Sequence, residues 1–127
     1  MEKFTINKKA YMEKFKGFSR PNTTPTPDEV FDTFMTQLTH AELKVLLYIV
    51  RRTFGFKKDT DSISLKQISS GITTKDGREL DRGAGLSKQG AITAVQNLEK
   101  KGLIVVGRVK TEDGYNHVNV YKLRFKG

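Results

Sequence analysis

The chain has 127 residues, a length typical of one domain with a modest core, and it has no cysteine, which excludes disulfide bonds, thiolate chemistry and cysteine-based zinc sites. Its formal net charge of +9 favours a polyanionic partner. The N-terminus lacks the apolar run of a signal peptide, and no apolar run approaches the roughly 20 residues that span a bilayer, so we expect a cytoplasmic protein with no membrane partner.

The positive charge is concentrated at the two ends of the chain. Residues 1–20 contain six Lys or Arg against two Asp or Glu, and residues 86–127 contain eight against three. We predict that residues 1–26 are a basic N-terminal arm with a proline-rich connector, and that residues 27–127 form one DNA-binding domain.

Three aromatic residues of the arm follow one another at helical spacing: Tyr11, Phe15 and Phe18. We expect this stripe to pack on the protein's own core. A contact between two copies in a dimer, or a contact with DNA, is the alternative.

Three helices are predicted in the first half of the domain. The first spans about residues 27–38, because a proline followed by two acidic residues suits a helix start. Its apolar face has four members: Val30, Phe31, Phe34 and Met35. The second spans residues 40–53, and Thr39 and Glu42 have the spacing of a capping box that would open it. Ser64 begins a third, short helix that ends near Ser70.

A polar insertion of residues 72–85, with several glycines and aspartates, separates this third helix from the most informative segment of the chain. In that segment Ser87 is a good N-cap, and Gly102 follows two lysines as a helix stop. Between them, Ala91, Ala94, Val95 and Leu98 share one face.

The opposite face of this helix has no carboxylate. Amides and hydroxyls bind base edges, lysines pair with phosphates, and carboxylates would repel the DNA backbone. We therefore predict a DNA-reading set on this face: Lys88, Gln89, Thr93, Gln96 and Asn97. An ordinary amphipathic helix with a solvated outer face is the alternative.

Two strands, at residues 103–110 and 117–125, are predicted to follow, with residues 111–116 as their turn. Three helices followed by a hairpin give a mainly α fold with a C-terminal β-hairpin, a winged helix-turn-helix. Five basic residues are predicted to bind phosphates, four of them on the hairpin or wing: Lys100, Arg108, Lys110, Lys122 and Arg124. A role in solubility alone is the alternative.

The order of these elements resembles the N-terminal domain of phage replication protein O and related replisome organisers. Five short sequence motifs support this resemblance, at residues 18–27, 38–47, 51–56, 63–68 and 85–87. The resemblance covers about residue 15 to the end. It implies binding of double-stranded origin DNA by this domain, and recruitment of a replicative helicase or its loader by a separate C-terminal region. Because the sequence ends at Gly127, directly after the predicted wing, we expect no such region here: either a longer protein is truncated, or the protein binds DNA without loading a helicase.

Catalysis has little support in the sequence. His40 and His117 lie on different predicted elements without a matching cysteine or acidic pair, and the glycines of residues 83–85 lack the strand and the Gly-Lys ending of a phosphate loop. We expect a protein that is not an enzyme, with no metal and no cofactor. Two other functions stay open, a transcriptional repressor of the same fold and a protein-interaction module of a helicase loader or replisome.

Overall fold

The computed structural model describes residues 14–19, 22–109 and 118–126. In chain order the helices and strands are α1 (Asp28–Asp32), α2 (His40–Thr53), β1 (Asp61–Ser64), α3 (Leu65–Ser70), β2 (Ile72–Thr73), β3 (Glu79–Asp81), α4 (Lys88–Lys100), β4 (Ile104–Gly107) and β5 (Val118–Leu123). The predicted hairpin turn and Lys110 lie outside the described residues, as does Tyr11 of the arm.

The first predicted helix is shorter than expected. α1 ends at Asp32, and a separate 3-10 turn, Phe34–Thr36, follows it. Thr33 between them has φ −123°, outside the helical range, so the two turns cannot form one continuous helix. Val30 is buried as predicted, whereas Phe31 and Met35, also predicted for the apolar face, are each 47% exposed.

Helix α2, which has the predicted bounds, contributes more buried residues than any other described element. Thr39 and Glu42 form the expected capping box, in which each side chain bonds the backbone N–H of the other. The buried residues come from α2, α3, α4 and the strands, and the largest of them are Leu46, Ile49, Ile63, Ile68, Leu98, Ile104 and Tyr121. Within the described ranges, no helix combines the length and the apolar character needed to cross a bilayer.

The sheet is larger than a C-terminal hairpin. β1 pairs antiparallel with β5, which in turn pairs with β4, so that the strand order is β1-β5-β4. Sequence analysis missed β1 because its four residues include two serines and an aspartate, and its pairing partner lies more than fifty residues later. The fold is therefore mixed, with helices and a small antiparallel sheet, rather than mainly helical.

The predicted insertion is a two-stranded ribbon, formed by antiparallel pairing of β2 and β3. It leaves and re-enters the domain at one point: a Cβ on Gly83 would lie 2.5 Å from the backbone nitrogen of Gly71. Both glycines have positive φ, +86° at Gly71 and +68° at Gly83, so neither the backbone conformation nor the available space suits another residue. Without the ribbon, residues 83–87 alone would connect α3 to α4.

The ribbon is tied to α2 by a largely buried polar network. The Tyr48 hydroxyl donates to Asp81 at 3.1 Å and accepts from Arg52 at 2.9 Å, and Arg52 also donates to Asp61 at 2.8 Å. Burial raises the pKa of Tyr48 to about 12, so its hydroxyl stays protonated and can donate at neutral pH. This network fixes the ribbon's returning strand against the core.

Helix α4 has both predicted ends. The Ser87 hydroxyl accepts from the Gly90 N–H at 3.0 Å. At the other end the Leu103 N–H bonds the Leu98 carbonyl and the Gly102 N–H bonds the Glu99 carbonyl, both at 3.0 Å, with Gly102 at φ +84°. This pair of bonds is a Schellman motif, and it directs the chain from α4 straight into β4.

Candidate nucleic-acid interface

The first three turns of α4 present polar side chains to solvent while the helix packs on α2 and α3 through its opposite face. Lys88, Gln89, Thr93 and Gln96 are all exposed. The Gln89 amide nitrogen donates to the Thr93 hydroxyl at 3.1 Å, so these two side chains are aligned along the helix. Four of the five predicted reading residues therefore share one accessible surface, which we call the α4 reading face.

Asn97 differs from these four. It is half-buried, and its amide nitrogen donates to a carboxylate oxygen of Glu42 at 3.1 Å. The other oxygen of Glu42 accepts from Lys101 at 2.6 Å. Asn97 and Lys101 thus hold the end of α4 against the beginning of α2, and Asn97 does not lie with the α4 reading face.

Glu42 is buried, with an exposed fraction of 2%, yet it is ionised. The Lys101 ammonium, together with the donors of Thr39 and Asn97, holds the pKa of this carboxyl below its ordinary value of 4.5, against the opposing effect of burial. A capping residue predicted from its sequence spacing is therefore also the link between two helices. Sequence spacing signals the cap, but it gives no signal for a partner more than fifty residues away.

Arg108, predicted to bind a phosphate, lies in an ion pair. Its two guanidinium nitrogens donate to the two carboxylate oxygens of Glu99, each at 2.8 Å. Each partner stabilises the charged form of the other: Arg108 lowers the pKa of Glu99, and Glu99 raises the pKa of Arg108. The pair joins α4 to the end of β4 and neutralises the charge of Arg108.

The remaining predicted phosphate contacts lie at different places. Lys100 is exposed in the last turn of α4. Lys122 and Arg124 are exposed near the end of β5 rather than beside the hairpin turn. Lys122 lies opposite Val105, and the backbone N–H of Arg124 donates to the Leu103 carbonyl. At about 3.3 Å per residue, Arg124 is about 20 Å along the chain from Val118. These two cations therefore flank the C-terminal end of α4.

The predicted aromatic stripe of the arm does not pack on the core over the part that the structure describes. Phe15 is 66% and Phe18 is 90% exposed, and the two rings meet edge to face at 4.8 Å. Three helical-spaced aromatics suggested an amphipathic helix, but residues 14–19 form no helix, so the spacing does not produce one buried face.

A family model of the bacteriophage replication protein O matches residues 23–119, which is most of the chain and contains every element from α1 to β4. A search among curated proteins and a search among solved structures each found no match. The matched region includes the α4 reading face, the capping residue Glu42 and the β2–β3 ribbon. The chain belongs to the bacteriophage replication protein O family, and its role is in phage replication.

Proposed function

We propose that this chain binds double-stranded DNA sequence-specifically, through a winged helix-turn-helix, in the initiation of replication of a phage or other mobile element, and that it acts in the cytoplasm without catalysis. The observation that carries the proposal is the α4 reading face, which exposes a lysine, two glutamines and a threonine and no carboxylate. A solvated helix on a protein of mixed charge ordinarily exposes both signs.

The arrangement around α4 supports this use. The order α2-β1-α3-α4-β4-β5, with a sheet ordered β1-β5-β4, is the order of elements in winged helix-turn-helix domains. In such domains the last helix enters the major groove N-terminus first, and the preceding helix lies across the backbone. Here α3 packs on α4, and the backbone N–H groups of residues 84–86 bond the last carbonyls of α3, so the two helices keep a fixed angle.

Each residue of the α4 reading face has a chemical role in this proposal. Gln89 and Gln96 present amides that can bind adenine through two hydrogen bonds, and the Thr93 methyl can contact thymine. Lys88, in the first turn, reaches a phosphate or a guanine. Gly90 lacks a Cβ, which allows the helix backbone to approach a phosphate closely. Lys100 and Lys110 contribute further phosphate contacts.

Asn97 and Arg108 receive other roles. Because Asn97 holds Glu42 and Arg108 holds Glu99, we assign both to the orientation of α4 rather than to DNA contact. The helicase or its loader, which the family membership suggests, and a second copy of the chain, bound through the N-terminal arm, remain proposed partners.

Selection from a random duplex library tests the proposal. The enriched sequence, a scrambled duplex and a single strand are then titrated by fluorescence anisotropy at several salt concentrations. We expect the enriched duplex to bind at least about 1,000-fold more tightly than the scramble, a ratio typical of specific domains. Equal affinity for all three, with one steep salt dependence, would show recognition of phosphates alone and refute sequence-specific binding.

The symmetry of the selected site separates two uses of the same fold. Direct repeats would support replication initiation, because an initiator loads copies in one orientation. A palindrome would instead point to a two-fold symmetric dimer of the repressor kind.

A further inference from the structure

A second basic surface lies on the sheet, away from the α4 reading face. A cleft of about 360 Å³ is formed there, and seven residues line it: Phe54, Asp59, Val105, Lys122, Leu123, Arg124 and Phe125. We call it the Phe125 cleft. None of the residues that line it belongs to α4, the helix that carries the α4 reading face.

An exposed aromatic ring dominates this cleft. Phe125 is 62% exposed, and its ring lies 5.8 Å from the half-buried ring of Phe54 with the planes tilted by 35°. Phe54 therefore supports one side of Phe125 while the rest of the ring faces solvent. A phenylalanine held in place yet left exposed offers a flat surface on which another ring can stack.

Two cations are among the residues that line the cleft. Lys122 lies on β5 and Arg124 directly follows this strand; both are exposed, and neither forms an ion pair with any described carboxylate. Asp59 is the only acidic residue among those that line the cleft. Lys126 adds a further exposed cation directly after Phe125. The cleft thus combines net positive charge with an open aromatic face.

Duplex DNA does not use both features, because its bases are stacked inside the helix and out of reach of a surface ring. A polyanion with accessible planar rings does, and that description fits single-stranded nucleic acid. We propose that the Phe125 cleft binds single-stranded nucleic acid, with a base stacked on Phe125 and phosphates at Lys122 and Arg124. This goes beyond the proposed duplex binding and gives the two cations a role apart from the α4 reading face.

The direct test uses a Phe125→Trp variant, since the chain has no tryptophan and the new indole would be its only one. We expect titration with an oligomer of twelve thymidines to quench the indole fluorescence, because a base stacks on the ring. A Phe31→Trp variant is the matched control: Phe31 is also an exposed phenylalanine, at 47%, but lies on α1. Its fluorescence should not change.

Affinity measurements with the same labelled oligomer complete the test. Phe125→Ala should weaken binding by roughly 5- to 100-fold, the range expected when one base–aromatic stack is lost. The double variant Lys122→Ala/Arg124→Ala should weaken it and flatten the salt dependence by about two phosphate contacts. Both variants alter exposed side chains, and thermal unfolding should show the fold intact.

Three results would overturn the proposal. The first is equal quenching in both tryptophan variants. The second is a loss of affinity in the Lys122/Arg124 variant with none in Phe125→Ala, which would mean attraction of phosphates without stacking. The third is tighter binding of an acidic peptide, such as a Glu-rich sequence with one phenylalanine, than of the oligomer. A Gln89→Ala/Gln96→Ala variant should lose specific duplex affinity and keep single-strand affinity. This variant therefore tests the duplex proposal independently of the single-strand proposal.

Discussion

The two halves of the polar face of α4 have similar residues but different surroundings: one half is exposed, and the other bonds neighbouring elements. Towards the N-terminus of the helix, the side chains of Gln89, Thr93 and Gln96 bond no other element among the described residues. From Asn97 onward, Asn97 and Lys101 hold Glu42, and Glu99 holds Arg108. One half is available to a ligand, and the other holds the helix on the domain.

This division shows how α4 can be exposed on one side and still be held in a defined orientation. An exposed helix packed by one apolar face could still rotate or slide on that face. The ion pairs at its C-terminal half supply directional contacts to α2 and to the hairpin, and so fix the angle at which the N-terminal half is presented. The following predictions test this division, beginning with the largest effect.

Glu42→Ala should cause the largest loss of stability, about 2–4 kcal/mol, because it removes a capping bond and the buried partner of Asn97 and Lys101. Urea unfolding measures this free energy. A comparison variant, Glu99→Ala, removes the more accessible acid of α4 that pairs with Arg108, and it should lose much less. Equal losses of unfolding free energy in the two variants would show that the buried link between α2 and α4 stabilises the fold no more than the accessible pair of Glu99 and Arg108.

The stabilising effect of Glu42 should depend on pH. Its folded-state pKa lies below the ordinary value of 4.5, so its contribution is complete above that value and is lost as the pH falls through the folded-state pKa. The difference in unfolding free energy between the natural chain and Glu42→Gln should therefore shrink as the pH is lowered from 6 toward 3 (about the range over which carboxylates titrate). A difference that stays constant would contradict the assignment.

Gln96→Ala and Asn97→Ala are neighbours on the same helix with opposite expected results. Gln96→Ala should weaken specific duplex binding by about 1–3 kcal/mol and relax specificity at one base pair, with stability unchanged. Asn97→Ala should lower stability by about 1 kcal/mol, because it leaves a buried carboxylate with one donor fewer. Anisotropy measures duplex binding and urea unfolding measures stability in both variants. A loss of stability in Gln96→Ala, or a loss of specific binding in Asn97→Ala at unchanged stability, would contradict this assignment.

Glu99→Gln should have a small effect on stability, within about 1 kcal/mol, because the pair with Arg108 is solvent-accessible. It should nevertheless weaken specific duplex binding, since the pair with Arg108 that helps to hold α4 at its angle to the hairpin is lost. The Arg108→Ala variant is the control, and in that background Glu99→Gln should have no effect on DNA affinity.

Gly90→Ala should have the smallest effect on stability. Alanine favours the helix by up to about 1 kcal/mol, but its Cβ would lie 3.1 Å from the Ser87 hydroxyl and crowd the cap. We expect these effects to offset each other in thermal unfolding. DNA affinity should still fall if the backbone approaches a phosphate at Gly90, and unchanged affinity would show that it does not.

Sequence patterns predicted the parts of the molecule that local chemistry determines. The capping boxes and stop signals placed α2, α3 and α4 to within a residue or two, because Thr39, Ser64, Ser87 and Gly102 act on neighbours three or four positions away. β1 was missed because its stabilising partner is distant in the chain. For the same reason, the polarity of Asn97 and Arg108 could not show that each already has a partner.

Because Gly71 and Gly83 are in close contact, the β2–β3 ribbon begins and ends at the same place on the domain. Since the chain departs and returns at one point, changes in the ribbon's length need not propagate into the angle between α3 and α4. We therefore expect this position to accept a longer hairpin, a spectroscopic label or an entire small domain without a change in the orientation of α4. Evolution has the same freedom at this position, and related replication proteins can differ there in size while retaining a common way of presenting α4.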